Sequence, residues 1–157
     1  LTSDREFALW FSGLMKVMKS RGVQNQISTP LTGDMNSKIT ALREYIRNGY
    51  TVKDGRVFDP RFSDDVIRSQ AGTTVELAIL TSIILEQSGV KGAVVFIREK
   101  GEPVSDKMEG AFFIPGSKGR GEWIRFTDGQ NFKNGEALII KGDSLEIIPV
   151  SDKSGYK

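Results

Sequence analysis

The run Gly72-Thr73-Thr74-Val75-Glu76-Leu77-Ala78 puts hydroxyls and a carboxylate where a polar turn meets a long apolar stretch. A side chain on the first turn of a helix, as at Thr74, lies at the positive end of the helix dipole, where an enzyme gains by placing a nucleophile. A threonine hydroxyl attacks only with a strong base in reach. Glu76 is close in sequence, yet residues two apart on a helix do not face each other. A second account needs no catalysis. Thr73 followed three residues later by Glu76 is a capping box, in which each side chain accepts from the other residue's backbone N–H.

The 157 residues include no cysteine and no histidine. Thiolate nucleophiles, disulfides, Cys/His zinc sites and imidazole acid–base chemistry are therefore all excluded. Two other groupings carry less. Asp64-Asp65 would be half a metal site, but no oxygen-rich partner cluster stands near, and a solvated loop accounts for it. The Gly-rich run Gly116-Ser117-Lys118-Gly119-Arg120-Gly121 lacks the strand–loop–helix setting of a phosphate cradle and reads as a hairpin loop. Arg98, Arg125 and Asp128 fall near the ends of predicted strands, where they would line a cleft if one exists. The net charge is +2, and Lys16, Lys19, Arg21, Lys118 and Arg120 are scattered among carboxylates. That is a solvated surface, with no nucleic-acid footprint. Nor does any apolar run reach the roughly 20 residues of a membrane span.

Hydrophobic content of 38% and charged content of 27% suit a globular chain with one core. Ser3 with Glu6 predicts a capped first helix with Phe7, Trp10, Phe11, Leu14 and Val17 as an apolar stripe, ended by Gly22. That stripe serves either the core or a neighbouring domain, and the core is the expected partner. Residues 23–35 read as a connection. Asn36 or Ser37 caps a second helix with Ile39, Leu42 and Ile46 inward and Gly49 at its end. Asp54-Gly55 between short β-prone runs predicts a hairpin, and residues 61–71 a loop or short helix. The third helix spans about Thr74 to Gln87, is apolar nearly all round, and stops at Gly89. A strand from Val90 to Ile97 has almost no polar alternation and belongs at a sheet centre. Strands at 108–114, 122–126, 137–140 and 145–150 follow, joined by turns at Asp128-Gly129 and Gly142-Asp143, and read as an antiparallel meander. Helices first and strands after predict an α+β fold, with N-terminal helices packed on an antiparallel sheet.

This order of elements resembles the transglutaminase-like superfamily, a branch of the papain-like fold, over roughly residues 36–140. There the buried helix opens with Gly-x-Cys-x-Asp/Glu-x-Ala, and here Gly72, Glu76 and Ala78 agree while Thr74 stands at the nucleophile position. The run Ser88-Gly89-Val90-Lys91-Gly92-Ala93-Val94-Val95 is similar to the family's turn and strand. The family's histidine lies in a His-Ala-Trp/Phe run, whose match Gly110-Ala111-Phe112 puts Gly110 in its slot. The family's aspartate follows four places after a strand tryptophan. Trp123 then brings Thr127 to that slot, with Asp128 one beyond.

The resemblance implies a Cys-His-Asp acyl-transfer triad, and every one of its positions is replaced. The resulting expectation is a catalytically inactive transglutaminase-like domain over 36–150, with residues 1–35 packed on it and 151–157 a loose tail. It is expected to act as a binding or scaffolding module for a protein or cell-envelope polymer within a larger protein, as the opening Leu1 suggests, with an extracytoplasmic location favoured over others. No cofactor is implied. Thr73, Thr74, Glu76, Arg98, Arg125 and Asp128 are the candidate cleft residues. Two alternatives stand beside it: a hydrolase or acyltransferase using Thr74 with a carboxylate or lysine base, and a purely structural spacer.

Overall fold

The computed structural model describes residues 3–21, 31–55, 57–116, 121–127, 132–141 and 144–150. Among them the order is α1 (Asp4–Arg21), α2 (Met35–Gly49), β1 (Thr51–Val52), α3 (Ser63–Ser69), β2 (Ala71–Gly72), α4 (Thr74–Gln87), β3 (Ala93–Glu99), β4 (Glu109–Pro115), β5 (Gly121–Ile124), β6 (Gly135–Lys141) and β7 (Ser144–Val150). The chain is α+β, with helices packed on a five-stranded antiparallel sheet.

α4 is the spine. Every residue from Val75 to Leu85 is buried, as an all-round apolar helix requires. Its C-terminus closes in a Schellman arrangement. Gly89 takes φ +86°, its N–H donates to the Glu86 carbonyl at 3.1 Å, and the Val90 N–H donates to the Leu85 carbonyl at 2.8 Å. The chain then enters β3, which is apolar on both faces and lies at the centre of the sheet. Val94 and Phe96 point into the core beneath the helices, while Val95 and Ile97 join a second apolar cluster with Trp123 and Ile139 on the other face.

The sheet order is β5-β4-β3-β6-β7, which is not the expected meander. After β5 the chain crosses to the free side of β3, so the most apolar strand is flanked on both edges. The turns at Gly142-Asp143 and Asp128-Gly129 lie outside the described residues. Pro149 occupies the edge strand β7, where a missing N–H is tolerated.

Three other expectations are corrected. α2 is capped by Asp34, whose carboxylate accepts from the Ser37 N–H at 2.8 Å, so the helix starts before Asn36. Burial of Ile39, Leu42 and Ile46 is as expected. The Asp54-Gly55 hairpin does not form. Residues 51–53 instead run parallel to 70–72, with Thr51 N–H on the Gln70 carbonyl at 3.0 Å and Lys53 N–H on the Gly72 carbonyl at 2.8 Å. Long-range pairing overrides the local turn signal. In α1 the inward face is Phe7, Ala8, Phe11 and Met18, with Phe7 and Phe11 edge-on to Phe96. Leu14 is partly buried, but Trp10 and Val17 are exposed. The helix is rotated so that Phe7, Phe11 and Met18 face the core, and Val17, one residue from Met18, turns outward.

Candidate functional site

The capping box at the start of α4 is present. Thr73 Oγ1 accepts from the Glu76 N–H at 3.2 Å, and Glu76 Oε1 accepts from the Thr73 N–H at 3.0 Å. Glu76 has a further partner that the sequence did not disclose. Its Oε2 accepts from the backbone N–H of Arg61 at 2.7 Å and from Arg61 Nε at 3.0 Å. Burial by itself raises the Glu76 pKa, but the hydrogen bonds from Arg61 and Thr73 outweigh it and hold the carboxyl below its ordinary value. Glu76 is thus an ionised structural anchor whose oxygens are committed.

Thr74 turns toward β4. Its Oγ1 accepts from the Gly110 N–H at 2.9 Å, its one hydrogen bond among the described residues. β4 comes so close here that a Cβ on Gly110 would sit 2.6 Å from Val75 Cα and 2.7 Å from Val75 N. Those contacts are backbone, so no rotamer change relieves them. Position 110 admits only glycine in this packing.

Beside this contact lies an open cleft of about 640 Å³, bordered by Thr73, Thr74, Arg98, Glu109 and Thr127. Its walls are the segments 53–55 and 102–108. Asp106 ties them together by accepting from the Val57 N–H at 3.2 Å, and Gly55 rests so close on Thr73 that a Cβ would overlap its methyl.

Most charges deep in this region are spent. Glu109 accepts two hydrogen bonds from Arg125, both 2.8 Å, with side chains only 5% and 3% exposed. Arg98 is buried between Asp4 at 2.9 and 3.0 Å and Glu136 at 2.9 Å, and these carboxylates keep its pKa raised. Glu99 accepts from the N–H groups of Lys133 and Asn134. By contrast the side chains of Lys53, Asp54, Glu102 and Lys107 border the cleft without a hydrogen bond or ion pair among the described residues.

Of the residues singled out from sequence, Thr73, Thr74, Arg98 and Thr127 border the cleft. Gly110 touches Thr74 from the strand side, Glu76 turns away to Arg61, and Arg125 lies behind Glu109. Asp128 and residues 117–120 of the Gly-rich run lie outside the described residues. Asp64 and Asp65 sit on the first turn of α3 rather than in a solvated loop, with Asp64 buried and Asp65 paired to Arg68 at 2.8 Å. Among the described residues no cluster of three or more acidic side chains is placed to hold a metal, and no helix is long and apolar enough to cross a membrane. Glu109 was not flagged from sequence. Its signal is a lone carboxylate opening an apolar strand, and its partner becomes visible only with the β4–β5 register, which makes Arg125 its diagonal neighbour.

No family model matches the chain, and no curated protein does. Its fold is similar to that of a crystal structure from Parabacteroides distasonis described as a putative protease. The TM-score is 0.71 at 16% identity, over 98% of this chain and 32% of the other. The chain thus spans about a third of that protein's length, and the likeness is one of fold.

Proposed function

We propose that the chain is a transglutaminase-like domain that has lost the family's chemistry and works as a binding or scaffolding module of a larger protein, holding its ligand in the cleft beside Thr74. One observation carries this reading. Thr74 and Gly110, which the resemblance sets at the cysteine and histidine positions, are locked to each other at 2.9 Å, in a packing that leaves no room for a side chain at 110. The absence of any cysteine or histidine elsewhere removes a relocated triad. An open cleft bordered by Lys53, Asp54, Glu102 and Lys107, whose side chains have no hydrogen bond or ion pair among the described residues, supports ligand binding over a spacer role. The description of the Parabacteroides protein as a putative protease is in keeping with a peptide-handling ancestry.

An enzyme built on Thr74 would need a base at hydrogen-bond distance from its hydroxyl. Glu76 is turned to Arg61, and the Thr74 hydroxyl is held by a backbone N–H. The test is to assay the purified chain for amidase, protease and acyl-transfer turnover, and to screen peptides and cell-wall fragments by thermal shift. The expected outcome is no turnover, with stabilisation by at least one fragment class that Lys53→Ala/Lys107→Ala weakens. Robust turnover abolished by Thr74→Ala overturns the proposal, and no stabilisation by any fragment favours the spacer.

A further inference from the structure

The Asp54-Gly55 pair predicts a turn, and the turn does not form. The same two residues carry another chemistry. An aspartate followed by glycine closes on itself when the glycine nitrogen attacks the aspartate Cγ. The nitrogen gives up its proton, water leaves, and a cyclic succinimide forms. Water then opens the ring. Attack at Cγ restores aspartate, and attack at the main-chain carbonyl leaves isoaspartate, whose main chain runs through Cβ. One water is lost and one regained, with no oxidation or reduction. The reaction asks for a free carboxyl, a free glycine N–H and no side chain in the way.

All three conditions hold at Asp54. Lys53, Asp54 and Gly55 are exposed. The Asp54 carboxylate and the Gly55 N–H have no hydrogen bond among the described residues. The pairing of 51–53 with 70–72 ends one residue earlier, at the Lys53 N–H on the Gly72 carbonyl. Nor does the packing admit a blocking residue at 55. A Cβ there would overlap the Thr73 methyl, and Thr73 cannot rotate it away without losing the Glu76 N–H from its hydroxyl. The contact that demands glycine at 55 therefore also leaves the Asp54 carboxyl an unhindered nitrogen.

Two asparagine–glycine steps, which follow the same route with loss of ammonia, are held instead. Gly49 closes α2, with its N–H in the helix ladder. Asn134 donates its N–H to the Glu99 carboxylate at 2.6 Å and accepts from the Lys100 N–H at 2.8 Å, and Gly135 is paired with both Glu99 and Val150. From this contrast we propose that Asp54 is a self-modification site, which converts through a succinimide to isoaspartate in the folded chain. Residues 53–55 wall the cleft, so the product lengthens that wall by one main-chain atom and moves its carboxylate. The conversion needs no ligand and is independent of what the cleft holds.

The test is to age the full chain near neutral pH, folded and unfolded in guanidinium chloride, and to digest samples with chymotrypsin. Cleavage after Tyr50 and Phe58 releases residues 51–58, in which Asp54 is the one aspartate. Its isoaspartyl form has the same mass, separates by chromatography and is assigned by electron-transfer fragmentation. Asp54 should convert in the folded chain within about threefold of its unfolded rate, whereas folding should slow both asparagine–glycine steps at least about tenfold, or about 1.4 kcal/mol on the barrier. Asp54→Glu, whose ring would be one atom larger, should stop the conversion at an unchanged thermal midpoint. No isoaspartate at 54 in the folded chain, protection of Asp54 equal to that of the two asparagine steps, or an isomerised 51–58 peptide that persists in Asp54→Glu each overturn the proposal.

Discussion

The first turn of α4 has two unlike neighbours. Toward β4 it is closed: the Gly110 backbone lies against Val75, and the Thr74 hydroxyl holds the Gly110 N–H. Toward the segments 53–55 and 102–108 it is open, and the side chains of Lys53, Asp54, Glu102 and Lys107 on that side have no hydrogen bond or ion pair among the described residues. The closed side spends its polar groups on stability. On the proposed reading, the open side leaves Lys53, Asp54, Glu102 and Lys107 for a ligand. Substitutions on the two sides should therefore act on different observables, stability on one and ligand response on the other.

The largest effect belongs to the cleft floor. Glu109→Ala strips the buried Arg125 guanidinium of its bidentate partner and should cost about 3–5 kcal/mol in urea denaturation. A cost under about 1 kcal/mol would mean water reaches Arg125 freely, and the floor is not closed. Gly110→Ala comes next, at about 3 kcal/mol, because a Cβ must displace backbone rather than a side chain. A neutral result there would break the comparison at its root, since β4 could then move off α4.

Glu76→Gln should cost about 2 kcal/mol near neutral pH through weaker bonds to Arg61 and Thr73. The sign of its pH dependence follows from the lowered pKa in the folded chain. The stabilisation is full above the unfolded value of about 4.3 and disappears as pH falls through the lower folded value. The gap in thermal midpoint between parent and variant should therefore close in acid, and a gap that persists at the acid end would rule out an ionised Glu76. Smallest is Lys107→Ala on the open side, expected within about 0.5 kcal/mol of the parent. A larger loss would show that the cleft wall is structural after all.

Much of the fold was legible because its signals are local. Thr73 with Glu76, Ser3 with Glu6, and Gly89 declared the helix boundaries through bonds only three to five residues long. The run Val94–Ile97, apolar on both faces, announced a central strand. What misled was also local. Asp54-Gly55 is a sound turn signal, yet residues 51–53 found partners at 70–72, and Trp10 and Val17 matched a helical stripe whose true centre was Phe7, Phe11 and Met18. The candidate site was legible in part: Thr73, Thr74, Arg98 and Thr127 stand at the cleft, whereas Glu109 needed the strand register and Arg61 needed the fold.

By itself the sequence determined that no thiol or imidazole chemistry is available, that α4 is capped and buried, and that β3 is central. These follow from composition and from periodicities within one element. Only the tertiary structure decided that β4 touches α4 with nothing but glycine between them, that Glu109 is matched by Arg125, and that a cleft remains open beside Thr74. The reason is physical. Such contacts join residues tens of positions apart, and their distances are set by how whole elements pack rather than by any pattern along the chain.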